Sequence, residues 1–177
     1  MQMSMGTLVT IVLLTMVLVL GGYFVSRIFS GAKENIEGID AAVKNEINKL
    51  FSEDTSRKIV VYPATREIVI KKGEDSLGFG FSIRNIEEEE NIFSYEVNAE
   101  EVSCSMDLSE AEDLIALGQK RSNIQIPAGS IMENPIFVRF NIPDTAPPCR
   151  IRYSITMNKG DELYGSTIDI DLVIKSK

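Results

Sequence analysis

Residues Thr7 to Phe29 read TLVTIVLLTMVLVLGGYFVSRIF, and this stretch decides how the chain is organised. It is apolar on every side, with only small hydroxyls as polar guests. Its expected packing residues are Leu8, Ile11, Val12, Leu14, Thr15, Val17, Leu18, Gly21, Gly22, Phe24, Val25, Ile28 and Phe29. Met5 to Val25 spans about 20 residues, or ~30 Å as a helix, the thickness of a bilayer core. A cleaved secretory signal has a shorter apolar region that ends in small residues of the A-x-A kind. This segment is therefore expected to persist in the mature chain. Gly21 and Gly22 permit either a bend or close helix–helix packing.

The apolar pattern continues but changes character. From Ile28 it becomes a stripe: Ala32, Ile36, Ile39, Val43, Ile47 and Leu50, in steps of three and four. Such a stripe is one face of an amphipathic helix. Lys33, Glu34, Glu37, Asp40, Lys44, Glu46 and Lys49 take the other faces, and no proline occurs before Pro63. One helix over residues 1–51 is the result. Its first part needs apolar surroundings on all sides, as a filament core or a membrane anchor. Its second part needs them on one side only, where Ile36, Ile39, Val43, Ile47 and Leu50 are expected to lie against the chain's own globular domain.

A polar junction, residues 52–56, leads into a head domain over residues 57–177. Eight alternating segments separated by turn residues fill it: Lys58–Tyr62, Glu67–Lys71, Leu77–Arg84, Phe93–Ala99, Asn123–Ile126, Ile136–Ile142, Cys149–Met157 and Ser166–Ile174. Short alternating strands without long intervening helices point to an antiparallel sandwich with one wet face per sheet. The fold class is thus a long N-terminal α-helix followed by an all-β antiparallel sandwich of immunoglobulin-like pattern. Leu108–Leu117 is the exception, a short helix with Ser109 as its cap and Gly118 at its end.

Charge narrows the function. Residues 1–26 carry no charged side chain, so all 26 acidic and 18 basic residues, and the net charge of −8, belong to the remainder. An acidic surface argues against binding the phosphate backbone of nucleic acids and against anionic headgroups. The chain has no histidine, which removes the commonest general base and metal ligand. Glu87–Glu90 reads as a solvated hairpin tip rather than a spaced calcium loop. Gly78-Phe79-Gly80 lies inside a strand with no helix after it, which is not a phosphate loop. Lys58, Arg66, Lys71 and Lys72 read as solvent-facing or paired with acidic neighbours. Asp169 and Asp171 alternate with apolar residues as the wet face of the last strand. No catalytic set, cofactor site or metal site emerges, so the chain is not expected to be an enzyme. There is no N-x-[ST] sequon. Cys104 and Cys149 are most simply one disulfide if the domain is exported.

The layout resembles the type IV pilin superfamily, in particular archaeal pilins and archaellins. The start, Gln2-Met3-Ser4-Met5-Gly6, is similar to the Q-x-S-x-E sequence that opens many mature archaeal pilins. Gln2 and Ser4 match, and Gly6 stands where the family has Glu, so that residue's role does not carry over. In the family, cleavage precedes the Gln, whereas this chain begins with Met1. The resemblance implies a homo-polymer, an extracellular filament with the helices inside and the sandwiches outside, and membrane insertion before assembly. It also implies a prepilin peptidase and an assembly ATPase with its platform as partners. Filament roles in that superfamily include adhesion and swimming. The rival expectation is a monomeric membrane-anchored sandwich that displays a binding domain outside the cell. A third follows from Arg27 and Lys33, which by the positive-inside rule place the sandwich in the cytoplasm unless a basic leader has been removed.

Overall fold

The computed structural model describes residues 5–72 and 78–176, with side chains for all of these except residues 5, 7, 8 and 22–40. The chain divides into two compact units, Met1–Ala42 and Val43–Lys177.

Helix α1 covers Met5–Glu53. Within the first unit its backbone is helical from Met5 onward. Thr10 and Thr15 are absorbed by the helix itself. Their hydroxyls donate back to the carbonyls of Gly6 at 2.8 Å and Val12 at 2.9 Å, so neither leaves an unsatisfied polar group among the aliphatic side chains.

The second unit begins with the last turns of α1. The helix stops where Asp54 folds its carboxylate onto the chain beyond it. Oδ1 accepts from the Ser56 amide at 3.0 Å and hydroxyl at 2.6 Å, and Oδ2 accepts from Arg57 Nε at 3.1 Å. An Asp that bonds the backbone two residues on offers an alternative to another helical turn.

Among the described residues ten strands follow: β1 Ile59–Tyr62, β2 Glu67–Lys71, β3 Gly78–Ile83, β4 Asn91–Val102, β5 Ile115–Leu117, β6 Lys120–Ile126, β7 Ile136–Phe140, β8 Cys149–Lys159, β9 Glu162–Leu163 and β10 Ile168–Lys175. One sheet has the order β1-β3-β7-β5 and the other β2-β10-β8-β4-β6, with β9 paired to β8. Alternation explains the layering. β8 and β10 bury Ile151, Tyr153, Ile155, Ile168, Ile170, Leu172 and Ile174 in the core. Arg150, Arg152, Asp169 and Asp171 lie between them in sequence, on the opposite face. Aromatic rings lock the interior, with Phe81 edge-on to Tyr95 at 4.9 Å and Phe140 tilted on Tyr153 at 5.0 Å.

The chain changes sheets at both edges of the sandwich, between β1 and β2 and again between β5 and β6. The second change turns at Gly118, whose φ is +82° and whose missing Cβ would meet the Phe137 carbonyl. Only glycine combines that backbone with that approach.

The expected fold class is corrected in what defines it. The fold is a mostly-β, two-sheet sandwich, and it is not all-antiparallel. β2 pairs parallel with β10 over Glu67–Lys71. Parallel pairing becomes available because β2 arrives by crossing over from the other sheet rather than by a hairpin from β10. The long helix does not define the class either, since only its last turns, from Val43, join the compact sandwich unit. Among the described residues, no helix is long and apolar enough to cross a membrane, so the expected transmembrane span is not found there.

Smaller corrections follow. The expected helix over Leu108–Leu117 is shorter: α2 is Leu108–Asp113, and Ile115–Leu117 is strand β5. Its cap is Asp107, not Ser109. The Asp107 carboxylate accepts from the Glu110 amide at 2.8 Å, and the Glu110 carboxylate accepts from the Asp107 amide at 3.0 Å. This reciprocal box satisfies two otherwise unpaired donors. Glu87–Glu90 joins β3 in one sheet to β4 in the other, so it is a crossing loop rather than a hairpin tip.

Candidate functional site: an apolar helix surface and the clamp at the helix end

Two features stand out, one in each unit. In the first, the described residues Val9–Leu20 of α1 present ten large apolar side chains to solvent, from 45% exposed at Val12 to 77% at Leu18. No charged residue interrupts them. Among the expected core-forming residues, Ile11, Val12, Leu14, Thr15, Val17, Leu18 and Gly21 are all exposed. A Cβ placed on Gly21 would touch nothing within 4 Å. The side chains of Leu8, Gly22, Phe24, Val25, Ile28, Phe29, Ile36 and Ile39 lie outside the described residues, as do Gln2 and Ser4.

In the second unit the end of α1 sits on the four-stranded sheet. Ile47, Phe51 and Val60 form a buried cluster, with Val43, Leu50 and Ile131 packed against it. Three of the five stripe residues expected to face the head, Val43, Ile47 and Leu50, are therefore in that contact. β3 explains the fit. Phe79, Phe81 and Ile83 of its GFGFSI sequence join the sandwich core, while Gly78, Gly80 and Ser82 share the opposite face. A Cβ on Gly80 would stand 2.9 Å from Val43 Cγ1 and 3.5 Å from Ile47 Cδ1. The small residues cut a shallow seat for the helix. Ser82 is fully buried there, and its hydroxyl has no hydrogen-bond partner among the described residues.

Arg84 closes the seat. Its Nη1 donates to the carbonyls of Thr55 at 2.6 Å and Asp54 at 3.4 Å, and its Nη2 to that of Phe51 at 3.2 Å. Its guanidinium lies 4.8 Å from the centre of the Phe51 ring. The last carbonyls of a helix have no partner within it and carry partial negative charge, so a cation placed there is favoured twice. Sequence reasoning missed Arg84 and Phe51. Arg84 read as the end of a strand, and only the pairing of β1 with β3 brings it to the helix terminus.

Cys104 and Cys149 are bonded, with an S–S distance of 2.06 Å. The bridge joins the segment just after β4 to the first residue of β8.

On the outer face of the six-stranded sheet, Asp171 accepts from Arg152 Nε at 3.0 Å and Arg150 Nη2 at 3.1 Å. Arg150 also meets Glu67 at 2.8 Å, and Arg152 meets Glu101 at 3.4 Å. Burial pushes the Asp171 carboxyl up, but its hydrogen bond and charge contact with Arg152, and then Arg150, hold it below the ordinary aspartate value of 3.8. Burial raises the Tyr95 hydroxyl to about 12. Of the basic residues expected to face solvent or pair with acidic neighbours, Lys58 places its Nζ 4.8 Å over the Tyr164 ring. Among the described residues, no group of three or more His, Cys, Asp or Glu side chains is placed to hold a metal ion. A cleft of about 530 Å³ beside α2, lined by Met106, Glu110, Asp113, Leu114, Asn141 and Pro147 among others, is of ligand size. Its rim carboxylate Glu110 is already committed to capping α2.

No protein-family profile matches the chain. No curated protein matches it. Solved structures are similar to it at low identity. One is a family 123 glycoside hydrolase from Clostridium perfringens, with 14% identity and a TM-score of 0.45; the match covers 63% of this chain. This chain spans only 23% of the length of that enzyme. A second is WR4, a C. elegans MSP family member, with 10% identity, a TM-score of 0.40, and 67% and 98% of the two chains covered. A distant third is the CooA pilin subunit from enterotoxigenic Escherichia coli, with 6% identity, a TM-score of 0.28, and 68% and 98% covered.

Proposed function

We propose that the protein is a structural, non-catalytic subunit that polymerises through α1 into an extracellular filament, with the β-sandwiches on the outside. The observation that carries this reading is the run of exposed apolar side chains from Val9 to Leu20. Ten large apolar groups on all sides of one helix form a surface far beyond the patches that monomeric soluble proteins leave exposed. Covering such groups contributes roughly 1.5–3 kcal/mol for each one fully buried from water. Identical helices can supply that cover to one another, with close approach where residues are small, as at Gly21. The disulfide supports a head that works in an oxidising compartment. The similarity of the N-terminal layout to archaeal pilins adds a processing peptidase and an assembly ATPase with its platform as proposed partners.

The test compares the wild-type chain with Leu14→Glu, by electron microscopy and sedimentation. Wild-type protein is expected to form filaments. The variant is expected to form none while its disulfide and its strand content by circular dichroism are kept. Ordinary filaments from Leu14→Glu would overturn the reading.

A further inference from the structure

The joint between the end of α1 and the sandwich is more elaborate than a packing contact requires. Ile47 and Phe51 are buried against Val60 and supply the apolar part of the joint. Arg84 adds polar bonds to three carbonyls around the helix terminus, those of Phe51, Asp54 and Thr55. The residue is itself fixed from behind. Its amide donates to the Lys58 carbonyl at 2.7 Å. Its carbonyl accepts from the Tyr164 hydroxyl at 2.6 Å. The same Tyr164 oxygen accepts from the Ile86 amide at 3.1 Å, and the Tyr164 ring packs edge-on to Phe93 in the core at 4.8 Å. Hydrogen bonds therefore run from the helix terminus through Arg84 to Tyr164, and a ring contact with Phe93 continues the path to β4 of the opposite sheet.

We propose that Arg84 is the coupling residue of this joint: it fastens the last turns of α1 to both sheets, so that tension on the helix passes into the sandwich without the helix end peeling from its seat. The inference deepens the filament reading, where every head hangs from its helix end. The physics selects arginine. A planar guanidinium reaches two carbonyl directions and a ring face at once, whereas an ammonium on a flexible stem acts as a single point. The alternative arrangement, a helix end held by apolar contact alone, would fray from its terminus, because its last carbonyls would turn to water.

Hydrogen exchange followed by mass spectrometry on the unassembled full-length chain tests the proposal, with peptides covering residues 43–57. In Arg84→Gln, exchange there is expected to rise at least tenfold, while peptides from β8 and β10 keep their wild-type rates. Arg84→Lys is expected to fall between the two, since it keeps the charge and loses the fork. Wild-type exchange at 43–57 in Arg84→Gln overturns the proposal. If Arg84→Gln does not fold, Arg84→Lys is read alone, and unchanged exchange in it overturns the proposal equally. Because exchange is read before assembly, its outcome is independent of whether filaments form. Filament formation by the wild-type chain separately tests the reading on which the coupling role rests.

Discussion

Gly80 shows how a single missing side chain positions an element. A Cβ there would stand 3.2 Å from the Phe137 ring as well as 2.9 Å from Val43, so Gly80→Val is expected to lift the helix end and to cost about 1–3 kcal/mol, as overpacking does. A lowered thermal midpoint, with hydrogen-exchange changes confined to residues 43–57, checks it. The alternation of the GFGFSI strand was legible in the sequence, and so was the smallness of one of its faces. What that face receives was not legible, because small residues signal close approach without naming the neighbour. At Asp171 the consequence is pH dependence. Its carboxyl is held below 3.8 in the folded chain despite partial burial, by Arg152 first and Arg150 second. The folded state thus binds its proton less readily than the unfolded state. Its stabilising contribution is complete above pH 3.8 and is lost as pH falls through the lower folded value. Acid titration of Asp171→Asn should show a shallower loss of stability below pH 4 than wild type, and an identical acid limb would refute the assignment.

Among the elements, the strands were the most legible and their partners the least. Alternation of apolar and polar residues located eight strands, since period two is written into every half-buried strand. β5 and β9 escaped it, being three and two residues long. The parallel pairing of β2 escaped because a strand's own pattern does not reveal its neighbour's direction. α2 was legible through its cap chemistry, although the box sits at Asp107 rather than Ser109. The bridge between Cys104 and Cys149 closes a separation of 45 residues, which constrains the unfolded chain by about 4 kcal/mol. The double variant Cys104→Ser, Cys149→Ser is expected to lose roughly that much in a denaturant titration, with the midpoint falling and the slope rising as the unfolded chain expands. A loss below about 1 kcal/mol would mean that the reduced chain is already held by its core.

For the whole molecule, two kinds of apolar surface lie on one helix. The end of α1 is matched to a seat on its own sandwich, through Ile47, Phe51 and the glycine face of β3. The segment Val9–Leu20 presents exposed apolar side chains. The change from wholly apolar to striped was legible from the charges, which begin only at Arg27. The occupant of the first surface was not, because lipid and a bundle of identical helices ask nearly the same of a sequence. Assembly should respond to that surface and be indifferent to the outer face of the six-stranded sheet. Val17→Asp, at a position 67% exposed, is therefore expected to abolish sedimenting polymer while leaving the disulfide and the thermal midpoint of the sandwich unchanged; retained polymer would count against a helical core. The most direct measurement is helical reconstruction by cryo-electron microscopy of material sheared from cells that make the protein. The account predicts a filament in which the Val9–Leu20 segments of neighbouring copies touch at the axis and the sandwiches form the wall. Particles that remain single, or filaments held together by the sandwiches with Val9–Leu20 away from the axis, would contradict it.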